Sequence, residues 1–304
     1  MKFSLRTIMM PVVTCLIIIT SANTGKGDEI YREFTGKNKI ALKTLSGSCE
    51  IRRSESDKVT IRVIDNTRPR NAFEASIKDR GNSLRLTETI HESSSGNSKW
   101  LLTVPDGMDI SFRSTSGSIE ISDISGKFMS NSTSGSSGIK NCKGEFNFNS
   151  ASGSYDIYEC EGQFDIHSAS GDVDIRGVTI TDRSDFGSAS GDINGRGIIV
   201  KANSNFGSAS GDANITIGQS PEADLNVGSA SGDAFLDYNG VEMVGYFEIS
   251  ARKYGGSIRT DVEFEKEEEF TKSDQKYIKK TARFKDITPF ISIGTSTGRA
   301  ELRR

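Results

Sequence analysis

The sequence predicts an all-β, single-domain β-solenoid (a β-helix) with coils of about 18–21 residues and irregular capping coils. The tetrapeptide Ser-Ala-Ser-Gly, or Ser-Thr-Ser-Gly in the first copies, recurs at intervals of 18–21 residues. A repeat of this length is typical of a solenoid, in which each repeat is one coil stacked on the last. After each glycine, apolar and polar residues alternate as in Asp172–Ile175, which indicates a half-buried strand. No apolar i, i+3, i+4 pattern lasts three helical turns. The glycines of the repeat are Gly117, Gly135, Gly153, Gly171, Gly191, Gly211 and Gly232.

The first 22 residues are predicted to be a signal peptide. Lys2 and Arg6 precede an almost wholly apolar run of about 12 residues, and small residues precede Asn23. An uncleaved anchor is the alternative, but a membrane span needs about 20 apolar residues. Lipidation of Cys15 is a second alternative, although no small residue precedes that cysteine. We therefore expect an exported protein located in the periplasm, at the cell surface or outside the cell, with no transmembrane span after cleavage.

The regular repeat is acidic. Between residues 117 and 240 there are 17 Asp and Glu against 7 Lys and Arg, whereas the rest of the chain has 24 acidic and 31 basic residues. Because phosphate backbones repel an acidic body, we expect no nucleic acid partner.

Each coil is expected to contain two short strands and two corners, with coils stacked about 4.8 Å apart. A second alternating segment, such as Phe164–Ser168, follows the first strand of each coil. At the Ser-Ala-Ser-Gly corner, glycine permits a positive φ. We expect the flanking serines to form ladders of hydroxyl groups and the alanines to stack as one tightly packed column. These alanines are Ala151, Ala169, Ala189, Ala209 and Ala230.

The predicted organisation is one continuous domain over residues 28–304 after the signal peptide of residues 1–22. Residues 23–110 form an N-terminal cap of degenerate coils, and residues 111–304 form the regular solenoid. The charged segment 265–283 is predicted to be an exposed loop or short helix, and residues 297–302 the last coil. About a dozen coils would span roughly 50–60 Å.

The strand openings Ser170-Gly171-Asp172-Val173 and Ser190-Gly191-Asp192-Ile193, together with the segment Leu102–Gly107, carry a resemblance to a known family. The chain resembles the bacterial putative-adhesin family of β-strand-repeat domains of unknown function over roughly residues 36–304. The resemblance implies a β-helical envelope or surface protein with an adhesive role and no defined catalytic residues.

A column of aspartates is the candidate metal site. Each follows the glycine of its coil, so their carboxylates would lie about 5 Å apart and repel one another by about 1 kcal/mol or more per neighbour. Ca²⁺ between coils would relieve this repulsion. Alternatively, each aspartate merely completes a turn and keeps the edge soluble. The column consists of Asp172, Asp192, Asp212 and Asp233.

Cys142 and Cys160 are one period apart and should occupy equivalent places in adjacent coils, where Ile124 stands one coil earlier. The expected Cα separation suits a disulfide, which an oxidising compartment would favour and which could contribute about 3 kcal/mol. Alternatively, both are reduced thiols in the core. Cys49 remains without a partner and is expected to be buried.

Catalysis is not expected. There is no nucleophile elbow or phosphate loop, and two histidines without a Cys/His pattern argue against a zinc site. A polysaccharide-active β-helix enzyme is the least favoured hypothesis. It would use clustered acids and a base, but such enzymes need longer, less regular coils to build a cleft. Its candidate residues are Asp174, Asp192, Asp212 and Arg176 or Arg196.

The function that the sequence favours is an adhesin-like, non-catalytic protein that binds a glycan or an envelope or matrix protein. A structural envelope scaffold without a specific ligand is the alternative, with self-association through its end coils. No cofactor other than calcium is expected. Exposed tyrosines are the candidates for stacking on sugars, namely Tyr155, Tyr158, Tyr238 and Tyr246.

Overall fold

The computed structural model describes residues 28–91 and 95–304, and it confirms the prediction of an all-β solenoid. The predicted signal peptide and Cys15 lie outside the described residues. No described helix is long and apolar enough to cross a membrane.

Twenty-eight strands and a single 3₁₀ turn at Arg70–Ala72 make up the described part of the chain. The N-terminal strands are β1 Asp28–Phe34, β2 Lys39–Lys43, β3 Ser48–Arg53, β4 Val59–Asp65, β5 Phe73–Arg80, β6 Ser83–Ile90, β7 Ser98–Val104, β8 Met108–Ser114 and β9 Ile119–Ser122. The regular coils contain β10 Ser125–Ser132, β11 Ser137–Lys140, β12 Lys143–Ser150, β13 Tyr155–Tyr158, β14 Glu161–Ser168, β15 Val173–Arg176, β16 Thr179–Ile180, β17 Ser184–Ser188, β18 Ile193–Val200, β19 Ser204–Ser208, β20 Ala213–Ile217, β21 Leu225–Ser229 and β22 Ala234–Asp237. The C-terminal strands are β23 Gly245–Arg252, β24 Ser257–Thr260, β25 Lys266–Lys272, β26 Gln275–Phe284, β27 Phe290–Thr295 and β28 Arg299–Arg303.

Each regular coil contributes one strand to each of two parallel sheets. Sheet A contains β9, β11, β13, β15, β18, β20 and β22, and sheet B contains β8, β10, β12, β14, β17, β19 and β21. The end of β18 also pairs with β16 of sheet B, which joins the two sheets into one hydrogen-bonded set.

The core is a narrow column between the two sheets. Inward residues of every strand are buried, and equivalent side chains stack from coil to coil because the sheets are parallel and in register. The clearest example is a stack of phenylalanine rings with centroids 4.8–5.6 Å apart: Phe128, Phe146, Phe164, Phe186 and Phe206. Complete burial of such a side chain contributes about 1.5–3 kcal/mol, so even a thin core stabilises the stack.

The N-terminal end differs from a simple series of degenerate coils. The coil of β2 and β3 lies between β8 and β9 on one side and β6 and β7 on the other. Strands β1 and β4 are antiparallel additions to sheet A, and β5 is an antiparallel edge strand of sheet B. Strand β5 thus lies in the cap, between the 3₁₀ turn and β6.

The C-terminal end also departs from chain order. Strands β27 and β28 lie between the coil of β21 and β22 and the coil of β23 and β24. The segment expected to be the last coil is therefore the last in sequence but not in space.

The charged insertion is a β-hairpin of β25 and β26, not a loop or short helix. Its acidic and basic side chains lie opposite each other across the two strands, where Lys279 contacts Glu268 at 2.9 Å and Lys280 contacts Glu267 at 3.1 Å. Cross-strand pairs of opposite charge favour an antiparallel hairpin.

Candidate functional site

The Ser-Ala-Ser-Gly corner is held together by its first serine. The Ser168 hydroxyl donates to the carbonyl oxygen of Gly153 in the preceding coil at 3.0 Å, and the Gly171 N–H donates to Ser168 Oγ at 2.8 Å. The serine hydroxyls thus do not bond to one another as expected; the first serine of the corner links the glycines of two adjacent coils. The alanines of the corner stack along the molecule but are exposed, so the expectation of tight packing at that column is wrong.

The reason for glycine at this corner also differs from the expectation. None of the corner glycines has a positive φ. A Cβ on Gly171 would instead overlap the carbonyl oxygen of Gly153, and the same overlap recurs at each coil. Positive φ values occur at the other corner, at Asn141 (52°), Glu159 (52°) and Gly177 (63°).

The four aspartates predicted to bind calcium form a hydrogen-bond ladder, which we call the Asp ladder. Each of Asp172, Asp192 and Asp212 accepts the backbone N–H of the aspartate in the next coil through Oδ1, at 2.7–2.8 Å. Asp233 accepts the N–H of Arg299 at 2.7 Å and its guanidinium at 2.9 Å. Hydrogen bonds to charged groups stabilise by about 1.5–3 kcal/mol, so these donors offset the repulsion between carboxylates.

Calcium binding by the Asp ladder stays a prediction. In residues 28–91 and 95–304, no group of three or more His, Cys, Asp and Glu side chains is arranged to hold a metal ion. One oxygen of each carboxylate in the Asp ladder is already engaged by the next coil.

Cys142 and Cys160 lie in consecutive coils, in a column that begins with Ile124. The Lys143 N–H donates to the Ile124 carbonyl at 3.1 Å, and the Glu161 N–H donates to the Cys142 carbonyl at 3.0 Å. Both cysteines are buried free thiols in the structure. The disulfide therefore stays a prediction. The alternative interpretation, two reduced thiols in the core, matches the arrangement in the structure.

Cys49 is also a buried free thiol. Burial raises its pKa above the ordinary value, which opposes formation of a nucleophilic thiolate.

Two of the four tyrosines proposed for sugar stacking are in the core. Tyr155 and Tyr238 are 1% and 0% exposed, because Tyr155 is an inward residue of β13 and Tyr238 continues the inward alternation directly after β22. Tyr158 is exposed on sheet A. Tyr246 is half-buried on sheet B, where its ring stacks on Phe290 with the centroids 6.0 Å apart.

A shallow polar groove lies on the outer face of sheet B near Phe290, and we call it the amide groove. Asn205 Nδ2 donates to Asp185 Oδ1 at 2.7 Å, and Asn226 Nδ2 donates to Asn205 Oδ1. The Phe290 N–H donates to Asp224 at 2.8 Å, and the Phe290 side chain is 39% exposed. The amide groove is lined by Arg183, Asp185, Asn203, Asn205, Asp224, Asn226, Phe290 and Ser292.

The surface beside the amide groove is flat, because glycine occupies the next outward position in four successive coils. His167 closes this glycine row at one end and contacts Asp165 at 2.8 Å. The four residues are Gly187, Gly207, Gly228 and Gly294.

Sequence reasoning missed the amide groove, although a signal was present. The segments Asp185-Phe-Gly-Ser188, Asn205-Phe-Gly-Ser208 and Asn226-Val-Gly-Ser229 repeat directly before the corner. Their first residue points outward and their second points into the core, so the repeat places a polar row on the surface.

The outer face of sheet A has two parallel rows of charge, which run along the stack two residues apart on the same strands. The acid row consists of Glu50, Glu120, Asp156 and Asp174. The basic row consists of Arg52, Lys140, Arg176 and Arg196, with Tyr158 between Lys140 and Arg176.

Within the acid row, Glu120 reaches over the next coil of sheet A. Its carboxylate lies over Gly138, where a Cβ would overlap it. Burial, followed by the charges of Asp156 and Glu50, raises the pKa of Glu120.

The residues of the enzyme hypothesis do not all come together. Asp174 and the arginines lie within strands of sheet A, whereas Asp192 and Asp212 belong to the Asp ladder that precedes those strands.

The family model described as Toastrack DUF4097 matches residues 37–281. A crystal structure of a "putative adhesin" from Parabacteroides merdae is similar, with 12% identity, 91% of this chain and 97% of that chain covered, and a TM-score of 0.49. Another, from Parabacteroides distasonis, has 12% identity, covers 92% and 98%, and has a TM-score of 0.46. A third, from Bacteroides fragilis, has 13% identity, covers 91% and 97%, and has a TM-score of 0.40. No curated protein matches the sequence.

Proposed function

The chain belongs to the Toastrack DUF4097 family, and on this premise we propose that it is an exported, non-catalytic, adhesin-like β-solenoid that binds a surface or envelope glycan in the amide groove. The observation that carries this proposal is the combination of an exposed aromatic ring, Phe290, with a row of amide and carboxylate groups on one flat face.

The chemistry of the amide groove suits a sugar chain. Asn and Asp side chains offer both donors and acceptors, as sugar hydroxyls require. Phe290, backed by Tyr246, offers an apolar ring face for the C–H groups of a sugar ring. The neighbouring glycine row removes side chains that would block an extended polymer.

The regularity of the coils supports a binding role rather than catalysis. The amide groove is open and shallow, and its polar groups are already hydrogen-bonded in a row along the stack. Such a surface can recognise a repeating polymer over several coils.

The decisive experiment is binding of the purified protein to a panel of glycans, envelope polymers and matrix proteins, followed by calorimetry with the best glycan. We expect Phe290→Ala to weaken binding at least tenfold, equivalent to about 1.4 kcal/mol. Tyr254→Ala is the matched control, because Tyr254 is a 72% exposed aromatic residue outside the amide groove. Equal affinity of Phe290→Ala and the unmodified protein would exclude the amide groove.

The same titration repeated in EDTA tests the calcium prediction. Loss of binding in EDTA, restored by Ca²⁺, would assign a metal to the Asp ladder, whereas unchanged binding would leave the Asp ladder with its structural role. Binding to no member of the panel would instead support the alternative, an envelope scaffold without a specific ligand.

Export is part of the proposal and has its own test. We expect the exported protein to begin at Asn23 when its N-terminus is sequenced. Retention of the first residues in a membrane fraction would contradict cleavage.

A further inference from the structure

The charges at the centre of sheet A have no ion-pair partners within the described part of the chain. Lys140, Arg176 and Arg196 make no salt bridge within 4.0 Å there, and neither do Asp156 and Asp174. At the ends of the same face, neighbouring residues of one strand do pair, as Arg52 does with Glu50 at 2.5 Å. The basic row thus remains open in a segment where acidic residues outnumber basic ones by 17 to 7.

The outer face of sheet A is self-complementary in charge, because it carries both an acid row and a basic row. If a second copy faces sheet A and is related by a twofold axis parallel to the stack, the acid row of each copy lies over the basic row of the other. Opposite charges then meet at β3 (Glu50 and Arg52) and β15 (Asp174 and Arg176), whereas Glu120 and Lys140 face uncharged residues. Because Asp174 and Arg176 belong to the same strand, each Asp174 then faces the other copy's Arg176. A twofold axis across the stack would instead place like charges together.

We propose that the outer face of sheet A is a self-association surface on which a second copy of this chain docks face to face, with parallel stacks and each acid row against the opposite basic row. The proposal is independent of the glycan-binding function, because the amide groove lies on sheet B.

Tyr158 gives the surface an anchor at its centre. Its side chain is 42% exposed, and the Lys140 ammonium lies 5.4 Å from the ring centroid. In the proposed arrangement each Tyr158 faces the other copy's Asp156, whose carboxylate can accept the phenol O–H. Tyrosine is enriched among the residues that dominate binding energy at interfaces.

The size of the surface predicts weak association. Four-residue strands give a width of about 13 Å, and the six coils from Glu50 to Arg196 give a length of about 24 Å. The face of a few hundred Å² is smaller than the roughly 800 Å² per partner that stable complexes bury. We therefore expect a concentration-dependent dimer that salt dissociates.

Sedimentation equilibrium of the full protein and of two charge-reversed variants tests the proposal. Arg176→Glu with Arg196→Glu makes the face predominantly acidic, and Asp156→Lys with Asp174→Lys makes it predominantly basic. We expect each variant alone to dimerise at least tenfold more weakly than the unmodified protein, and an equimolar mixture of the two to form a heterodimer. Raising the salt from about 0.1 M to about 1 M, which shortens the Debye length from about 10 Å to about 3 Å, should dissociate both complexes.

A matched control reverses two exposed basic residues elsewhere, Lys78→Glu with Lys201→Glu, and should dimerise like the unmodified protein. Circular dichroism verifies that each variant is folded. A monomeric unmodified protein at low salt, or a mixture that fails to associate although both variants are folded, would overturn the proposal. A loss equally large in the control would also overturn it, because net charge rather than the two rows would then govern association.

Discussion

At the scale of the residue, contact between coils decides which side chains the repeat allows. The glycine of each Ser-Ala-Ser-Gly corner is needed because the carbonyl oxygen of the preceding coil occupies the space of a Cβ. The first serine of the corner accepts the N–H of its own glycine and donates to the carbonyl oxygen of the glycine in the preceding coil. The repeated tetrapeptide therefore allows the backbones of two adjacent coils to approach each other closely.

Gly171→Ala should lower the free energy of unfolding by about 1–3 kcal/mol, because the new methyl group meets backbone that cannot move aside. Gly207→Ala is the control, since the nearest atom to its Cβ, Asn205 Nδ2, would lie 3.6 Å away. We expect that control to change stability by less than about 1 kcal/mol. Urea denaturation measures both, and equal effects would contradict the contact argument.

Glu120→Gln should stabilise the protein at pH 7. The folded pKa of Glu120 is raised by burial first, so above that pKa the folded state holds an ionised carboxylate at a cost. Below the unfolded pKa of about 4.3, the group is protonated in both states and the cost disappears.

The stabilising effect of Glu120→Gln should therefore shrink as the pH falls and vanish below about pH 4. Denaturant titrations at low protein concentration, from pH 7 down to about pH 4, measure the free energy of unfolding of both proteins. Glu55→Gln, an exposed position between β3 and β4, should show no such dependence. A Glu120→Gln variant that is less stable at pH 7 would contradict the sign.

The sequence predicted the coil, its period and its inward residues, because alternation and repetition are local signals. It did not predict why the corner needs glycine, since the obstructing carbonyl belongs to another coil. Tyr155 and Tyr238 were misassigned to the surface for a related reason: a tyrosine suits either side of a strand, and only the register of the stack places these two in the core.

At the scale of the element, the ends of the stack carry the antiparallel strands. The hairpin of β25 and β26 covers one end of sheet B, and β5 covers the other. The edge strand β25 carries exposed charges at Glu267 and Glu269. Charged edge strands oppose pairing with another chain, which an open solenoid would otherwise invite. The sequence revealed the charge of this segment but not its hairpin, because the pairing depends on the opposite strand.

Replacing Glu267 and Glu269 with valine should promote association through β25. Removing these two charges makes the edge more apolar and β-branched, and its backbone groups are unpaired. Light scattering at increasing protein concentration should detect this association. The control, Glu55→Val with Asp57→Val, lies in exposed positions between β3 and β4 and should remain dispersed. Equal scattering by both variants would contradict a specific role of the edge.

At the scale of the whole molecule, neither end of the stack follows chain order. Residues 28–91 and 95–304 form eleven stacked two-stranded coils, and the coil of β27 and β28 is the second from the C-terminal end of the stack. Periodicity indicates that coils exist, but not which of them are neighbours when the period is interrupted. Because the charged hairpin interrupts the period, the sequence did not reveal that β27 and β28 lie between the coil of β21 and β22 and the coil of β23 and β24.

Deletion of residues 290–304 should destabilise the protein more than replacing residues 266–284 with a short loop. The first deletion removes the coil to which both β21 and β23 pair, whereas the second removes only an edge hairpin. Hydrogen exchange should show lost protection in β21, β22 and β24 only after the first deletion, whereas β23, which also pairs with β26, should lose some protection in both variants. Equal protection of these strands in both variants would show that β27 and β28 are dispensable.

The interior position of the coil of β27 and β28 makes closure of the stack depend on residues 290–303. A chain that emerges N-terminus first can stack its coils as far as β22, but β23 and β24 have no sheet to join until residues 290–303 arrive and fit between. A polypeptide that stops early retains an open strand edge on both sheets, where proteases and other unfinished chains have access. Residues 290–303 thus close the stack, and a chain that lacks them keeps β23 and β24 unpaired with the rest of the two sheets.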